Sequence, residues 1–496
     1  MRRPPAVVIA APRSGDGKTT VALGIMAALR RRGLQVQGFK VGPDYLDTGY
    51  QHFATGQPGR NLDLWMMGRE AVQEAVASQT GVADMVVIEG VMGLFDGHRD
   101  GVTPTSTADI AALLGVPVVL VVDASRTAAS VGALALGFRT YDDRVDVPGV
   151  ILNRWGSHRD LGAVAAALDR AGVELLGLVP PAPEVVLPTR HLGLVVAGEL
   201  GNEVEVVMGR LAELVEAHVD LDRLLEVARE GCSSGLCPPD LCSSDPCSSS
   251  SKGERVDGTT ASAFSPAQRP EASGLRIAVA LDDAFAFYYQ DNLRALERAG
   301  ATLIPFSPLT AEALPECEGL YLGGGFPELH AGTLAANAGL IESIHTAIAD
   351  GLPTYAECGG LLYLSETLAD LESATYRLVG AVPARATVYG RLQSVGYREG
   401  VLAADCLLGR AGDVLRGHEF RYSRCIIDRS RFHGCSPAYM VEGCPEGFVS
   451  GDLFASCIHL HFAGRPRAVD HWLARCAVYG ESRPGGLPIQ RSKERG

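Results

Sequence analysis

Three groups of side chains in this sequence could do chemistry, and each has a spacing that says what kind. The first sits in VVIAAPRSGDGKTT (7–20), where Gly15 and Gly17 precede Lys18, Thr19 and Thr20. Glycines there let backbone N–H groups turn toward phosphate oxygens, Lys reaches the outer phosphates, and a Thr hydroxyl can hold Mg²⁺. Pro12 stands where the usual Gly-x4-Gly-Lys-Ser/Thr pattern has its first Gly, so an ordinary Gly-rich turn is the competing reading. The order strand, Gly-x-Gly-Lys-Thr-Thr, helix favours nucleotide. Ser14, Gly15, Gly17, Lys18, Thr19 and Thr20, with Asn153 from a later strand end, are the residues expected to hold ATP. The second group is acidic: Asp44, Asp47, Glu89 and Asp96. Carboxylates beside a triphosphate carry Mg²⁺ or meet a substrate, since otherwise they repel it. Thr19, Asp44 and Glu89 are the candidate Mg²⁺ ligands. The third group is Cys358 with His459 and His461, a thiol nucleophile and its bases.

The elements that position these groups are legible as apolar runs. Residues 7–9, 85–88, 116–122 and 147–152 are continuous apolar or β-branched stretches running into polar residues, 35–41 reads as a further strand, and helical patterns such as VALGIMAALRRRG alternate with them. That is the pattern of parallel strands buried on both faces, and ligands bind beyond the carboxyl ends of such strands. Asp44, Asp47, Glu89, Asp96, Asp123 and Asn153 all fall there, in one mouth with Lys18. Asp123 reads equally well as a helix cap. In the second half, LPTYAECGGLLYL (352–364) is a strand, a sharp turn at Cys358 and a helix. This is the layout of a nucleophile elbow, where a helix N-terminus and a nearby His activate a thiol. GLYLGGGFPE (319–328) enters three glycines, so Gly324, Gly325 and Gly359 are the expected oxyanion donors. The fold class expected is α/β throughout: a phosphate-loop parallel-sheet domain followed by a second α/β domain.

At 496 residues the chain is long for one core. The divisions expected are 1–230, a linker over 231–273, a second domain over 274–480, and a disordered tail over 481–496. A net charge of −14 argues against a nucleic-acid binder. The most apolar stretch, 108–122, contains Asp109, Gly115 and Pro117, so no membrane span is expected. The N-terminus is too short for a signal peptide before the phosphate loop, and the twelve Cys read as thiols of a cytoplasmic enzyme. Residues 203–229 read as one amphipathic helix closing the first domain. The Ser/Pro/Gly-rich linker holds Cys232, Cys237, Cys242 and Cys247 at five-residue intervals. Four thiols could bind zinc or an iron–sulfur cluster, but low complexity and wide gaps favour a tether. A homodimer is a candidate assembly that the sequence leaves open.

APRSGDGKTT, FKVGPDYLDTGYQ and EGVMGLFDG together resemble the cobyrinic acid a,c-diamide synthase family, amidoligases related to dethiobiotin synthetase. The resemblance continues through LPTRHLGL (187–194) and RGHEFRYS (416–423). It implies Mg²⁺, ATP and glutamine, and a corrinoid tetrapyrrole acid whose a and c acetate groups are amidated. It also places the loops bearing Lys40, Asp44, Tyr45, Asp47 and Asp96 over that substrate. The second half resembles the class I glutamine amidotransferase fold, in which a Cys elbow meets a His-x-Glu pair. Here His459 takes the base position and His461 stands where Glu would orient it. The family lacks that Glu as well. Relatives that act on nickel sirohydrochlorin, or that make cobyric acid and end in His-Gly-x-Phe, remain alternatives, as does a phosphate-loop switch ATPase with a degenerate glutaminase module.

Overall fold

The computed structural model describes residues 3–98, 103–156, 160–183, 185, 187, 189–190, 193–194, 201–233 and 274–482. The Cys-rich tract beyond residue 233, with the linker expected there, the tail beyond 482, and Pro188, His191 and Leu192 of LPTRHLGL lie outside the described residues. Seven parallel strands make the first sheet: β1 (Ala6–Ala10), β2 (Val36–Val41), β3 (Arg60–Leu62), β4 (Met85–Glu89), β5 (Val118–Asp123), β6 (Gly149–Asn153) and β7 (Glu174–Val179). Their order is β3-β2-β4-β1-β5-β6-β7. β1, β2 and β4 are buried at every position, and core clusters lie on both faces of the sheet. This is why β1 and β4 up to Ile88 read as unbroken apolar runs, whereas β2 buries the polar Gln37 and Lys40. Register decides the chemistry: Glu89 lies beside Ile9 on one side and Lys40 on the other. The carboxyl ends of the three strands around the order reversal therefore line up. From there the chain enters α1 (Lys18–Arg31) and α2 (Leu46–Thr55).

One helix was expected over 203–229; the structure has two, Asn202–His218 and Leu221–Ser233. Val219 is extended (φ −125°, ψ 132°) and bridges Gly177 on β7. The Asp220 N–H donates to Leu176 O at 2.8 Å, and the Asp220 carboxylate accepts from Arg223 N at 2.9 Å. The sheet edge takes backbone bonds from the chain, and Asp220 then caps a fresh helix.

The second domain is built on a six-stranded sheet, ordered Thr302–Phe306, Arg276–Ala280, Gly319–Leu322, Thr354–Glu357, Leu453–Ser456, Phe448–Ser450. Only its last pair is antiparallel. Two further sheets, of four and five strands, fill much of 365–460. In one of them Val414–Arg421 pairs with His459–Leu460, which sets His418 opposite His459. No apolar run announces Ser394–Leu402, where seven of nine residues are half-exposed or exposed. The two domains are joined by a buried ion pair: the Arg60 guanidinium donates to both oxygens of Asp291, at 3.0 and 3.2 Å from Nε. Tyr397 also donates to Asp63 at 2.7 Å.

Candidate active sites at the domain seam

The phosphate loop is shaped by two left-handed glycines, Gly15 (φ 91°) and Gly17 (φ 94°). At Gly17 a Cβ would also lie 2.1 Å from Asn153 Nδ2. That amide donates to Asp16 O at 2.9 Å, while Asn153 Oδ1 accepts from Arg154 N. Asn153, expected as an ATP contact, thus braces the loop backbone. Arg154, which sequence reasoning missed, does the same: it donates to Gly15 O at 3.0 Å and to Asp123 at 2.6 Å. Ser14 and Gly15 are exposed at the loop tip, and Thr20 is half-buried beyond Thr19. Lys18 is nearly buried, and its pKa is lowered first by burial and then by the charge of Lys40. An anion at the loop would relieve both.

Glu89 is fully buried. Its Oε1 accepts from Thr19 Oγ1 at 2.6 Å and from Lys40 Nζ at 2.7 Å, and its Oε2 from Gln51 at 3.2 Å. Lys40 also pairs with Asp47 at 2.5 Å. The expected substrate cation Lys40 is therefore enclosed, 3% exposed, and its single charge is shared between Glu89 and Asp47. Strand register forces this, since two carboxylates buried beside Lys40 need a counter-charge. Burial works against the Lys40 charge, yet Asp47 and Glu89 outweigh it and hold the ammonium well above its usual range. Asp44 and Asp96 remain exposed in the mouth. Asp44 accepts from the N–H groups of Leu46 and Asp47 and so caps α2. Asp96 accepts from Gly93 N at 2.8 Å and folds its own loop. No described bond joins Asp44 to Thr19 or Glu89, its expected partners in a metal set.

Across the seam, the strand Thr354–Glu357 runs directly into the helix Gly359–Leu364. Cys358 between them holds φ 42°, ψ −96°, a conformation costly for a side-chain-bearing residue. Its N–H donates to Ser456 O at 2.7 Å, which fixes the turn. His459 is 1% exposed. Burial alone would lower its pKa, but Cys358 and then Glu357 outweigh that and lift it to about 10. Glu357, directly before Cys358, was missed by sequence reasoning; an acid at the end of the elbow strand was the available signal. It lies 3.8 Å from His459 Nδ1 and is fixed by Tyr355 and Tyr321 hydroxyls and by Leu460 N at 2.9 Å.

His461, expected to orient His459, has another setting. It is buried against Tyr289, with neither ring nitrogen bonded, and burial lowers its pKa to about 4. The expected oxyanion set also changes. Gly324 N–H donates to Phe287 O at 3.2 Å and is engaged. Gly325 and Gly359 remain: a Cβ on Gly359 would lie 3.0 Å from Gly325 N, so the two backbones adjoin. His418 is held neutral, its pKa lowered to about 3 by burial and by His459. Glu419 is bound by Arg398, Arg421 and Ser394.

Glu357→Gln should therefore lower glutamine hydrolysis by roughly 10²–10⁴-fold, because the base loses the charge that orients and protonates it. His461→Ala should cost less than about tenfold. Glutamate release by both variants, with ammonia-fed synthesis as the folding control, checks this; equal losses would restore His461 as the orienting group.

The two sites meet at Tyr45. Its ring stacks on Phe287 (5.4 Å, 6°) and Tyr289 (4.4 Å), and contacts the His459 ring at 5.2 Å. Tyr289 in turn donates to Pro43 O at 3.3 Å.

Residues 7–195 match the CobQ/CobB/MinD/ParA nucleotide-binding domain, and residues 276–467 match the CobB/CobQ-like glutamine amidotransferase domain. Fold and matches together define a glutamine-dependent, ATP-using ligase of two α/β domains. Similar proteins span nearly the whole chain. A cobyrinate a,c-diamide synthase of Listeria monocytogenes is 40% identical over 94% of this chain and 98% of its own. One of Salmonella typhimurium is 39% identical over 95% and 97%. A hydrogenobyrinate a,c-diamide synthase of Agrobacterium fabrum is 40% identical over 90% and 98%. The chain belongs to the cobyrinate a,c-diamide synthase family.

Proposed function

We propose that this chain amidates the a and c acetate carboxylates of cobyrinic or hydrogenobyrinic acid in the cytoplasm, using ATP and ammonia drawn from glutamine. The observation that carries this reading is the contact of Tyr45, in the phosphate-loop mouth, with His459, the base of the thiol site. A carboxylate is a poor electrophile and ammonium a poor nucleophile, so each site solves one problem. Cys358 attacks the glutamine side-chain amide, Gly325 and Gly359 N–H groups meet the oxyanion, and His459 gives its proton to the departing NH₃. Water then hydrolyses the thioester to glutamate. At the other site Lys18 and the loop N–H groups hold ATP while its γ-phosphoryl passes to the substrate carboxylate, which NH₃ converts to the amide with loss of phosphate. Free ammonia would be protonated in bulk water, so the transfer needs an enclosed route, and Tyr45 in contact with His459 is where such a route would start.

The Thr19 hydroxyl and Glu89 carboxylate, 2.6 Å apart beside the phosphate loop, are hard oxygen donors of the kind Mg²⁺ takes alongside phosphates. A cation held there would neutralise charge on the transferred phosphoryl group. Asp44 and Asp96, exposed in separate loops, suit contact with the large substrate instead.

Glu89→Gln should raise the Mg²⁺ requirement roughly 10–100-fold and cut turnover. Asp44→Asn and Asp96→Asn should instead weaken apparent affinity for the corrinoid or stall it at the monoamide. Mg²⁺ titration with amide counting by mass separates the roles. Monoamide accumulating only in Glu89→Gln, with a shifted Mg²⁺ requirement only in Asp96→Asn, would reverse them.

A further inference from the structure

A cavity of about 420 Å³ opens at the domain seam away from Cys358 and the phosphate loop. One wall is the helix Gln290–Arg298, which presents Arg294 and Arg298 one turn apart. The opposite wall belongs to the first domain, where Gln35 and Gln57 bring exposed side-chain amides, while the Ser78 hydroxyl is already committed to Ala75 O at 2.7 Å. Glu297 is the one carboxylate among the lining residues, and it is exposed. Among the described residues neither Arg294 nor Arg298 has a carboxylate within ion-pair distance. Arg294 is half-buried and Arg298 exposed; the Arg294 pKa is lowered first by burial and then by Arg60, with Asp291 and Glu297 offsetting this only in part.

The charges do not balance here. Arg60 already takes both oxygens of Asp291, and Ser78 accepts from Arg60 at 3.1 Å at the cavity wall. Arg294 is thus a second cation beside a single neutralised pair, in a chain whose net charge is −14. A half-buried cation with no ion-pair partner is open to an anion, and guanidinium forks flanked by amide donors match a tetrahedral oxyanion. The volume exceeds what free phosphate needs and falls in the range of small-molecule sites. We propose that this cavity is an anion site that takes the phosphate group of a small phosphorylated ligand, with Arg294 as its principal contact and Arg298 as its second. The site is placed to matter, because the same helix carries Asn292. That side chain donates to Leu460 O at 2.8 Å and accepts from Phe462 N at 2.7 Å, on the segment bearing His459.

The test uses full-length protein carrying Lys18→Ala, so that the phosphate loop does not compete. Inorganic phosphate and ribose 5-phosphate are titrated by calorimetry into this parent and into the same protein with Arg294→Gln or Arg298→Gln. Saturable binding to the parent is expected, weakened about tenfold or more by Arg294→Gln and less by Arg298→Gln. Tighter binding of ribose 5-phosphate identifies a phosphate ester as the ligand; equal binding identifies free phosphate. Thermal unfolding guards against a misfolded variant. Arg294→Gln should melt no lower than the parent in phosphate-free buffer, since it removes an unpaired cation, and phosphate should stabilise the parent alone. Absence of binding to the parent, or undiminished binding in Arg294→Gln, overturns the proposal.

Discussion

Cys358→Ser is expected to lose glutamine-fed amide synthesis, on the order of 10⁴-fold or more, while ammonia-fed synthesis stays near its original rate. The argument rests on where Cys358 sits. Its left-handed backbone and the Ser456 bond present one thiol at the mouth of a helix, beside the adjoining backbones of Gly325 and Gly359. A serine hydroxyl fits the same turn but is far harder to ionise than a thiol, so attack on glutamine fails without disturbing the fold. Nothing in the phosphate-loop mouth depends on that sulfur, and ammonia supplied at high concentration bypasses it. Assaying glutamate release and amide formation with both nitrogen sources checks this. Normal glutamine use by the variant would show that another of the cysteines is the nucleophile.

Lys18→Ala has the complementary signature. Synthesis should fall by roughly 10³-fold or more with glutamine and with ammonium alike, because the phosphoryl group loses a cation that the site holds desolvated. Lys40 cannot substitute, being committed to Glu89 and Asp47. Glutamine hydrolysis should survive, slow but measurable. Ammonia-fed synthesis near the original rate would sink the assignment of the loop to ATP.

The sequence made the sheets legible wherever strands are buried on both faces, as Met85–Glu89 is. It also exposed the turns where geometry selects residue types, as at Gly17 and Cys358. It did not reveal partnerships made across the fold. Arg60 and Asp291 are 231 positions apart, and only the packing of the two domains brings them together. Lys40 looked available to substrate because its burial depends on a register with Glu89 that no local pattern encodes. Glu357 escaped notice because the expected orienting acid was sought two residues after His459, whereas the fold supplies it from the strand carrying the nucleophile. Gly324 looks like its neighbours in sequence, but the backbone pairing with Phe287 takes its N–H. The accessory sheets went unread because half-exposed strands lack an apolar run.

The central claim is that nitrogen released at Cys358 becomes the amide made at the phosphate-loop site. Its most direct test supplies amide-¹⁵N glutamine with Mg-ATP in the presence of unlabelled ammonium, and weighs the products from cobyrinic acid, hydrogenobyrinic acid and nickel sirohydrochlorin. The account predicts a corrinoid a,c-diamide in which both new amides carry ¹⁵N despite the unlabelled pool. Amides that take their nitrogen from the unlabelled ammonium, or amidation of nickel sirohydrochlorin alone, would contradict it.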